Sequence, residues 1–208
     1  MDAAMAGERE VYLVDDEETA RDALAFLLRS HAIAVSTYSS GSAFLAAMAA
    51  APRRGCVVLD VRMEPMSGLQ VHGELLARGV VLPVLFLSGH GDIPMAVDAL
   101  QKGAFDFLEK PVNGVAFVKR VQAALAQESS SHSARGEQLR EQLRIASLTE
   151  REYAVMQRAA TGKLNKVIAD ELCVSVRTVE VHRARGFAKL GVRSSAEVAT
   201  ILARSGTK

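Results

Sequence analysis

CVVLDVRMEPMSG, residues Cys56 to Gly68, decides how the rest of the chain reads. Val57, Val58 and Leu59 form an uninterrupted apolar run, the pattern of a strand buried on both faces of a parallel sheet, and the run ends at Asp60. Open α/β sheets carry their sites at the carboxyl edge, where such a run delivers its last residue. A second run, Val11 to Val14, ends at Asp15 and Asp16. If the two strands are neighbours, three carboxylates share one crevice. Carboxylates that close repel unless a cation or protons relieve them, so the cluster predicts a divalent metal with oxygen ligands, Mg2+ first. A third run, Val81 to Leu87, stops at Ser88, and a fourth, Phe105 to Leu108, is followed by Glu109, Lys110 and Pro111. Acid, acid, hydroxyl and ammonium at successive strand ends are groups that handle a phosphoryl oxyanion.

Between these runs the periodicity turns helical. Glu17 to Ser30 places Ala20, Leu24, Leu27 and Leu28 on one stripe. Ile33 to Tyr38 alternates as a strand into the turn Ser39-Ser40-Gly41, and Phe44 to Ala51 is an Ala-rich helix ended by Pro52. A loop with Pro65 and Gly68 leads to a helix bearing Leu69, Leu75 and Leu76. Asp92 is a cap for a helix from Pro94 to Lys102 that Gly103 ends. The last helix of this half is read from Asn113 to Ala126, with Val115, Val118, Val121 and Leu125 inward. Five strands alternating with helices predict an α/β doubly wound parallel sheet of order 2-1-3-4-5.

The set Asp15-Asp16, Asp60, Ser88 and Lys110-Pro111, each after its own strand, resembles the receiver domain of bacterial response regulators over about residues 9 to 127. The resemblance implies that Asp60 is the phosphoacceptor, taking a phosphoryl group from the phosphohistidine of a sensor histidine kinase. It implies Mg2+ held by Asp16 directly, by Asp15 directly or through water, by Asp60, and by the backbone carbonyl of Arg62. Lys110 and Ser88 would hold phosphoryl oxygens, and the Lys110-Pro111 bond would be cis. Phe107 falls at the position of an aromatic that follows Ser88 inward as a switch, and the surface of helix 4, strand 5 and helix 5 would form a homodimer. His90 reads as a loop residue on the partner-facing rim. One departure is that Glu64 stands where the family commonly has Pro, with Pro65 following; the added carboxylate either shifts the loop or weakens phosphoryl retention.

The chain of 208 residues has room for two small cores. No stretch reaches the length of apolar residues that a membrane span needs, and MDAAMAGERE lacks the form of an export signal, so a cytoplasmic location with no membrane partner is expected. Cys56 and Cys173, far apart, read as small apolar residues. Charge is asymmetric: residues 1–127 carry 11 Lys and Arg against 15 Asp and Glu, residues 148–208 carry 11 against 6. An acidic front and a basic back suggest metal chemistry first and a polyanionic partner second.

The division is therefore read as a domain at 1–127, a linker at 128–147 that is helical in part, and a second, all-α domain at 148–208. Gln127 to Arg135, QESSSHSAR, marks the boundary. Leu139 and Leu143 allow either a dimerising helix or a solvated spacer. Beyond it, Thr149 with Glu152 and Ser194 with Glu197 have capping-box spacing, Asn165 to Leu172 is a short helix, and Ser175 caps a helix from Val176 to Leu190 stopped by Gly191. Two helices across a three-residue turn, the second bearing Arg177, Arg183, Arg185 and Lys189, have the form of a helix-turn-helix. LTEREYAVM, LNKVIADEL and SVRTVEVHRARGFAKLGV resemble the LuxR-type output domain, and the whole chain is similar to FixJ-type response regulators.

On that resemblance Val179 and Leu190 anchor the recognition helix, while Arg177, Thr178, Glu180, Val181, His182 and Arg185 face the major groove of double-stranded DNA, Lys189 is a further DNA-binding residue, and Asn165 and Lys166 touch the backbone from the preceding helix. Gly186 departs from the aliphatic residue expected, with Phe187 the candidate to fill the space. The function implied is phosphorylation-driven dimerisation and transcriptional control. Two other readings compete: a phosphohydrolase working through an aspartyl phosphate, disfavoured because Arg62 stands where such enzymes place a second Asp, and a regulator whose acidic pocket is only structural.

Overall fold

The computed structural model describes residues 9–49, 53–89 and 93–204. His90 and Asp92, expected at the crevice rim and at a helix cap, and Ala51 and Pro52, expected to close a helix, lie outside the described residues. The chain divides into two compact units between Ser131 and His132. In the first, β1 (Glu10–Val14), β2 (Val35–Tyr38), β3 (Gly55–Asp60), β4 (Val84–Ser88) and β5 (Asp106–Glu109) alternate with α1 (Glu18–Ser30), α2 (Gly41–Met48), α3 (Gly68–Ala77), α4 (Ile93–Gln101) and α5 (Gly114–Ala146). All pairings are parallel and the order is β2-β1-β3-β4-β5.

Successive residues of a strand face opposite sides, and the core divides accordingly. Tyr12, Val14, Val57, Leu59 and Phe86 pack with α2, α3 and Ala99 of α4. Val11, Leu13, Cys56, Val58, Leu85 and Leu87 pack with α1 and α5. Every residue of β3 is buried, as a central strand covered on both sides requires. Each of its fully buried Val and Leu side chains contributes about 1.5–3 kcal/mol of transfer free energy.

Several boundaries differ from the sequence reading for identifiable reasons. β4 starts at Val84 rather than Val81, because Pro83 has no N–H for the ladder and only its carbonyl joins, accepting from Val57 at 2.9 Å. α2 starts at Gly41, where the Ser40 hydroxyl accepts from the Ala43 N–H. Val115 is 82 % exposed rather than inward, since the buried stripe of α5 runs through Phe117, Val121, Ala124 and Glu128. The largest difference is α5 itself, which continues past Ala126 through the Ser-rich segment to Ala146. That segment is polar but contains no Pro, and its first Gly is Gly136, so nothing in it stops a helix. Glu128, expected in the linker, is only 6 % exposed and pairs through both oxygens with Arg54, at 3.2 and 3.3 Å.

In the second unit α6 (Glu150–Ala160), α7 (Asn165–Leu172), α8 (Val176–Leu190) and α9 (Ser195–Arg204) enclose a small core. Thr149 and Glu152 form the expected capping box, Ser175 accepts from the Thr178 N–H at 3.0 Å, and Gly191 closes α8 in the left-handed region. Gly186 is explained by Met156, not Phe187: a Cβ on Gly186 would lie 2.8 Å from the Met156 sulfur. The thioether of α6 occupies the place of the missing side chain, so α6 and α8 approach closely there. Met156→Ala is expected to lose about 2–5 kcal/mol through the cavity it opens, and Gly186→Leu alone about 1–3 through overpacking. The double variant is expected to recover part of both losses. Hydrogen exchange of the α6 and α8 amides measures this; strictly additive losses would show that the two positions do not share the space.

Candidate functional site

β1 and β3 are neighbours with Val14 opposite Leu59, so the residues that follow, Asp15 and Asp16 on one strand and Asp60 on the other, arrive together. One carboxylate oxygen from each lies within 4.8 Å of the other two. Asp15 is fully buried and all of its polar groups are engaged. Its N–H donates to the Tyr38 carbonyl, its Oδ1 accepts from the Glu17 N–H at 3.0 Å, its Oδ2 from the Lys110 ammonium at 2.8 Å, and its carbonyl from Arg21 at 2.8 Å. Asp16 is exposed, and its Oδ2 accepts from the Glu64 N–H at 3.4 Å.

Lys110 also reaches Asp60 at 3.0 Å, so one ammonium bridges two acids. Burial pushes the Asp60 carboxyl above its ordinary pKa; Lys110 opposes this and the charges of Asp15 and Asp16 add to it. Burial also acts to lower the Lys110 pKa, but its bonds to Asp15 and Asp60 outweigh that and raise it. Ser88 is buried at the end of β4, and its carbonyl accepts from the Lys110 N–H at 2.7 Å, tying the ends of β4 and β5 together. The Lys110-Pro111 bond is cis, and so is Glu64-Pro65. Phe107 is half-buried beside Phe86, ring centres 6.3 Å apart. Gly68, read as a loop residue, opens α3, and a Cβ there would lie 2.2 Å from the Asp60 carbonyl oxygen. The Ser67-Gln70 capping box was the signal for this helix start.

The second unit presents a stripe of α8 to solvent: Arg177, Glu180, Val181 and Arg185 are exposed, and Lys166 is exposed on α7. Thr178 is half-buried with its hydroxyl 2.8 Å from Ser175 Oγ. His182 is half-buried too, and its Nδ1 is fully buried. Arg177 and Glu180 pair at 3.4 Å across the surface, a contact of small energetic weight.

Residues 11–122 match the response regulator receiver domain family, and residues 146–202 match the family described as bacterial regulatory proteins of the luxR family. The chain belongs to the response regulators. It is 42 % identical over 198 residues to the transcriptional regulatory protein FixJ of Azorhizobium caulinodans, covering 94 % of this chain and 92 % of that one. It is 47 % identical over 195 residues to the C4-dicarboxylate transport transcriptional regulatory protein DctR of Rhodobacter capsulatus, covering 91 % and 96 %. Among solved structures it is similar to the response regulator StyR, with TM-score 0.87 and 37 % identity over 94 % of this chain and 98 % of that one. A receiver domain joined to a LuxR-type DNA-binding domain is the architecture of this transcription regulator. Among the described residues no helix is long and apolar enough to cross a membrane.

Within the regulator, geometry brings Asp15, Asp16, Asp60 and Lys110 into one cluster, with Ser88 joined to it through the Lys110 backbone. Arg62 lies two residues past Asp60 with an exposed side chain. Lys189 and Asn165 are placed differently from the sequence expectation. The Lys189 ammonium donates to Glu152 Oε2 at 2.6 Å and to the Ser147 carbonyl at 2.9 Å, and Asn165 Oδ1 accepts from Arg183. Both side chains are committed inside the domain. Arg21, Gly68 and Arg183, which the sequence reading left without a role at a site, hold the geometry from behind through a bond to the Asp15 carbonyl, a close approach to the Asp60 carbonyl and bonds to Asn165 and Ser195; side-chain type and spacing carry no sign of which group each one meets.

The hydrogen bond from Lys189, with a further one from the Thr149 N–H, holds the Glu152 carboxyl down to about 2 from an ordinary 4.5. The folded form is therefore the weaker proton binder, and this contribution to stability is complete above pH 4.5 and fades as pH falls toward 2. Acid unfolding of the helical domain, followed by exchange of its amides, is expected to be less steep in that window for Glu152→Gln, which keeps the capping box and removes the charge. Equal slopes would show that the Lys189 pair does not control it.

Proposed function

We propose that Asp60 accepts a phosphoryl group from the phosphohistidine of a sensor histidine kinase, and that the modified receiver dimerises and brings two output domains to DNA. The carrying observation is the cluster itself: three carboxylates within 4.8 Å at adjacent strand ends with an ammonium bridging two of them. An Asp60 oxygen attacks phosphorus, the oxygen–phosphorus bond forms as the phosphorus–nitrogen bond to the donor imidazole breaks, and the imidazole leaves with the electron pair. Lys110 turns from Asp15 and Asp60 toward a phosphoryl oxygen, and the Ser88 hydroxyl meets another.

The all-oxygen donor set fits Mg2+, with Asp15, Asp16, Asp60 and the Arg62 carbonyl as its holders; when bound it neutralises charge on the transferring group. The Glu64 loop stays next to the site through its own N–H on Asp16. Support for a homodimer face comes from α4, where Met95, Val97 and Leu100 are exposed, beside β5 and α5, whose Asp106 and Arg120 pair at 3.0 Å. On the output side, exposed Arg177, Glu180, Val181 and Arg185, with half-buried Thr178 and His182 at the margin, form the reading surface of α8, and Lys166 a backbone contact. Joining two weak DNA sites through one receiver dimer raises the effective concentration of the second. The setting is the cytoplasm, where kinase phosphotransfer and DNA meet.

Asp60→Asn is expected to stay monomeric with acetyl phosphate and Mg2+, while the wild type dimerises and binds a selected duplex at least about tenfold more tightly, as joining two sites allows. Sedimentation and mobility-shift titration measure both. Equal oligomeric state and affinity in the two proteins would overturn the assignment.

A further inference from the structure

Arg183 sits in the middle of the recognition helix α8, in a run of basic residues that invites assignment to DNA. The structure turns it the other way. Its Nη1 donates to Asn165 Oδ1 at 2.7 Å and its Nη2 to Ser195 Oγ at 2.8 Å, while its guanidinium carbon stands 5.3 Å from the centre of the Phe187 ring. Asn165 opens α7 and Ser195 opens α9. One planar side chain thus spans the starts of both neighbouring helices from a single point on α8, and the ring one turn along limits its rotation. The fork of a guanidinium can hold two acceptors in fixed directions, which an ammonium cannot.

We infer that Arg183 is a positioning residue for DNA recognition: it fixes α8 against α7 and α9 and so sets where Arg177, Val181 and Arg185 stand relative to Lys166. Base reading depends on that setting. Bidentate contacts to base edges tolerate little displacement, whereas contacts to phosphates set register and tolerate more. Losing the clamp therefore lowers discrimination between sequences more than it lowers general attraction to DNA. Arg183 is half-buried, and each of its two terminal nitrogens is engaged by a neutral partner within the domain.

The inference rests on α8 being the reading helix, and the test separates the two. The full chain, treated with acetyl phosphate and Mg2+, is titrated against a duplex that the wild type selects from a random pool and against its scrambled counterpart, over a range of salt concentrations. Arg183→Lys and Arg183→Ala are each expected to lower the preference for the selected duplex by about tenfold, with the salt slope of Arg183→Lys unchanged from wild type. Ser195→Ala, which keeps the arginine and removes one acceptor, is expected to lower it by about threefold while melting as the wild type does. Arg185→Ala, at a base-facing position, is expected to lower the preference for the selected duplex by about tenfold. Arg183→Lys binding like the wild type, or an unchanged preference in Ser195→Ala, would overturn the positioning role. An unaffected Arg185→Ala would overturn the reading of α8 instead.

Discussion

Mutual repulsion among Asp15, Asp16 and Asp60 is the constraint around which the receiver half is built. Adjacent parallel strands end in register, so their terminal side chains cannot avoid one another, and two of these three are buried. Lys110, delivered from the far strand β5, relieves the repulsion by bonding two of the acids at once. Such an arrangement holds together while leaving three carboxylates against one ammonium, so the cluster stays short of positive charge. The surrounding elements keep it in place: Arg21 and the Glu17 N–H fix Asp15, and the close approach of Gly68 leaves no room for side-chain atoms behind the Asp60 carbonyl.

The strand ends and the topology were legible because a buried parallel strand leaves a plain trace, an apolar run stopped by a polar residue. The helical domain was legible through caps, since Thr149, Ser175 and Ser194 each accept a backbone N–H at a helix start. Illegible were features that depend on which neighbour reaches a side chain. Lys189 and Arg185 are both exposed cations on one helix, yet Lys189 is spent on Glu152. The place of Gly186 makes sense only with Met156 across from it. Val115 and Phe117 are both apolar residues near the start of α5, and only packing decides which turns inward.

The Ser-rich segment shows how polarity and helix ending are separate signals. Composition marked 127–135 as a boundary, and the compact units divide between Ser131 and His132, yet the backbone stays helical because no residue there breaks a helix. Glu128 extends the receiver's hold past the expected boundary. Its partner Arg54 stands just before β3, and the Arg54 carbonyl accepts from the Tyr12 hydroxyl and the Glu10 N–H. A buried acid paired through both oxygens is costly to leave unpaired, so this turn of α5 is held to the sheet end rather than free.

The basic excess of the second half overstates the charge available to a polyanion. Arg158 and Lys163 are tied to Glu171, Lys189 to Glu152, and Arg183 to two neutral acceptors, so several cations build the domain instead of covering its surface. What remains outward on α7 and α8 is a narrow set, Lys166, Arg177 and Arg185, with Glu180 among them. A small exposed charge gives weak general attraction and a steep dependence on where each remaining group stands. Each of these few outward groups therefore carries a large share of any contact with a polyanion, so its placement matters more than the total charge of the unit.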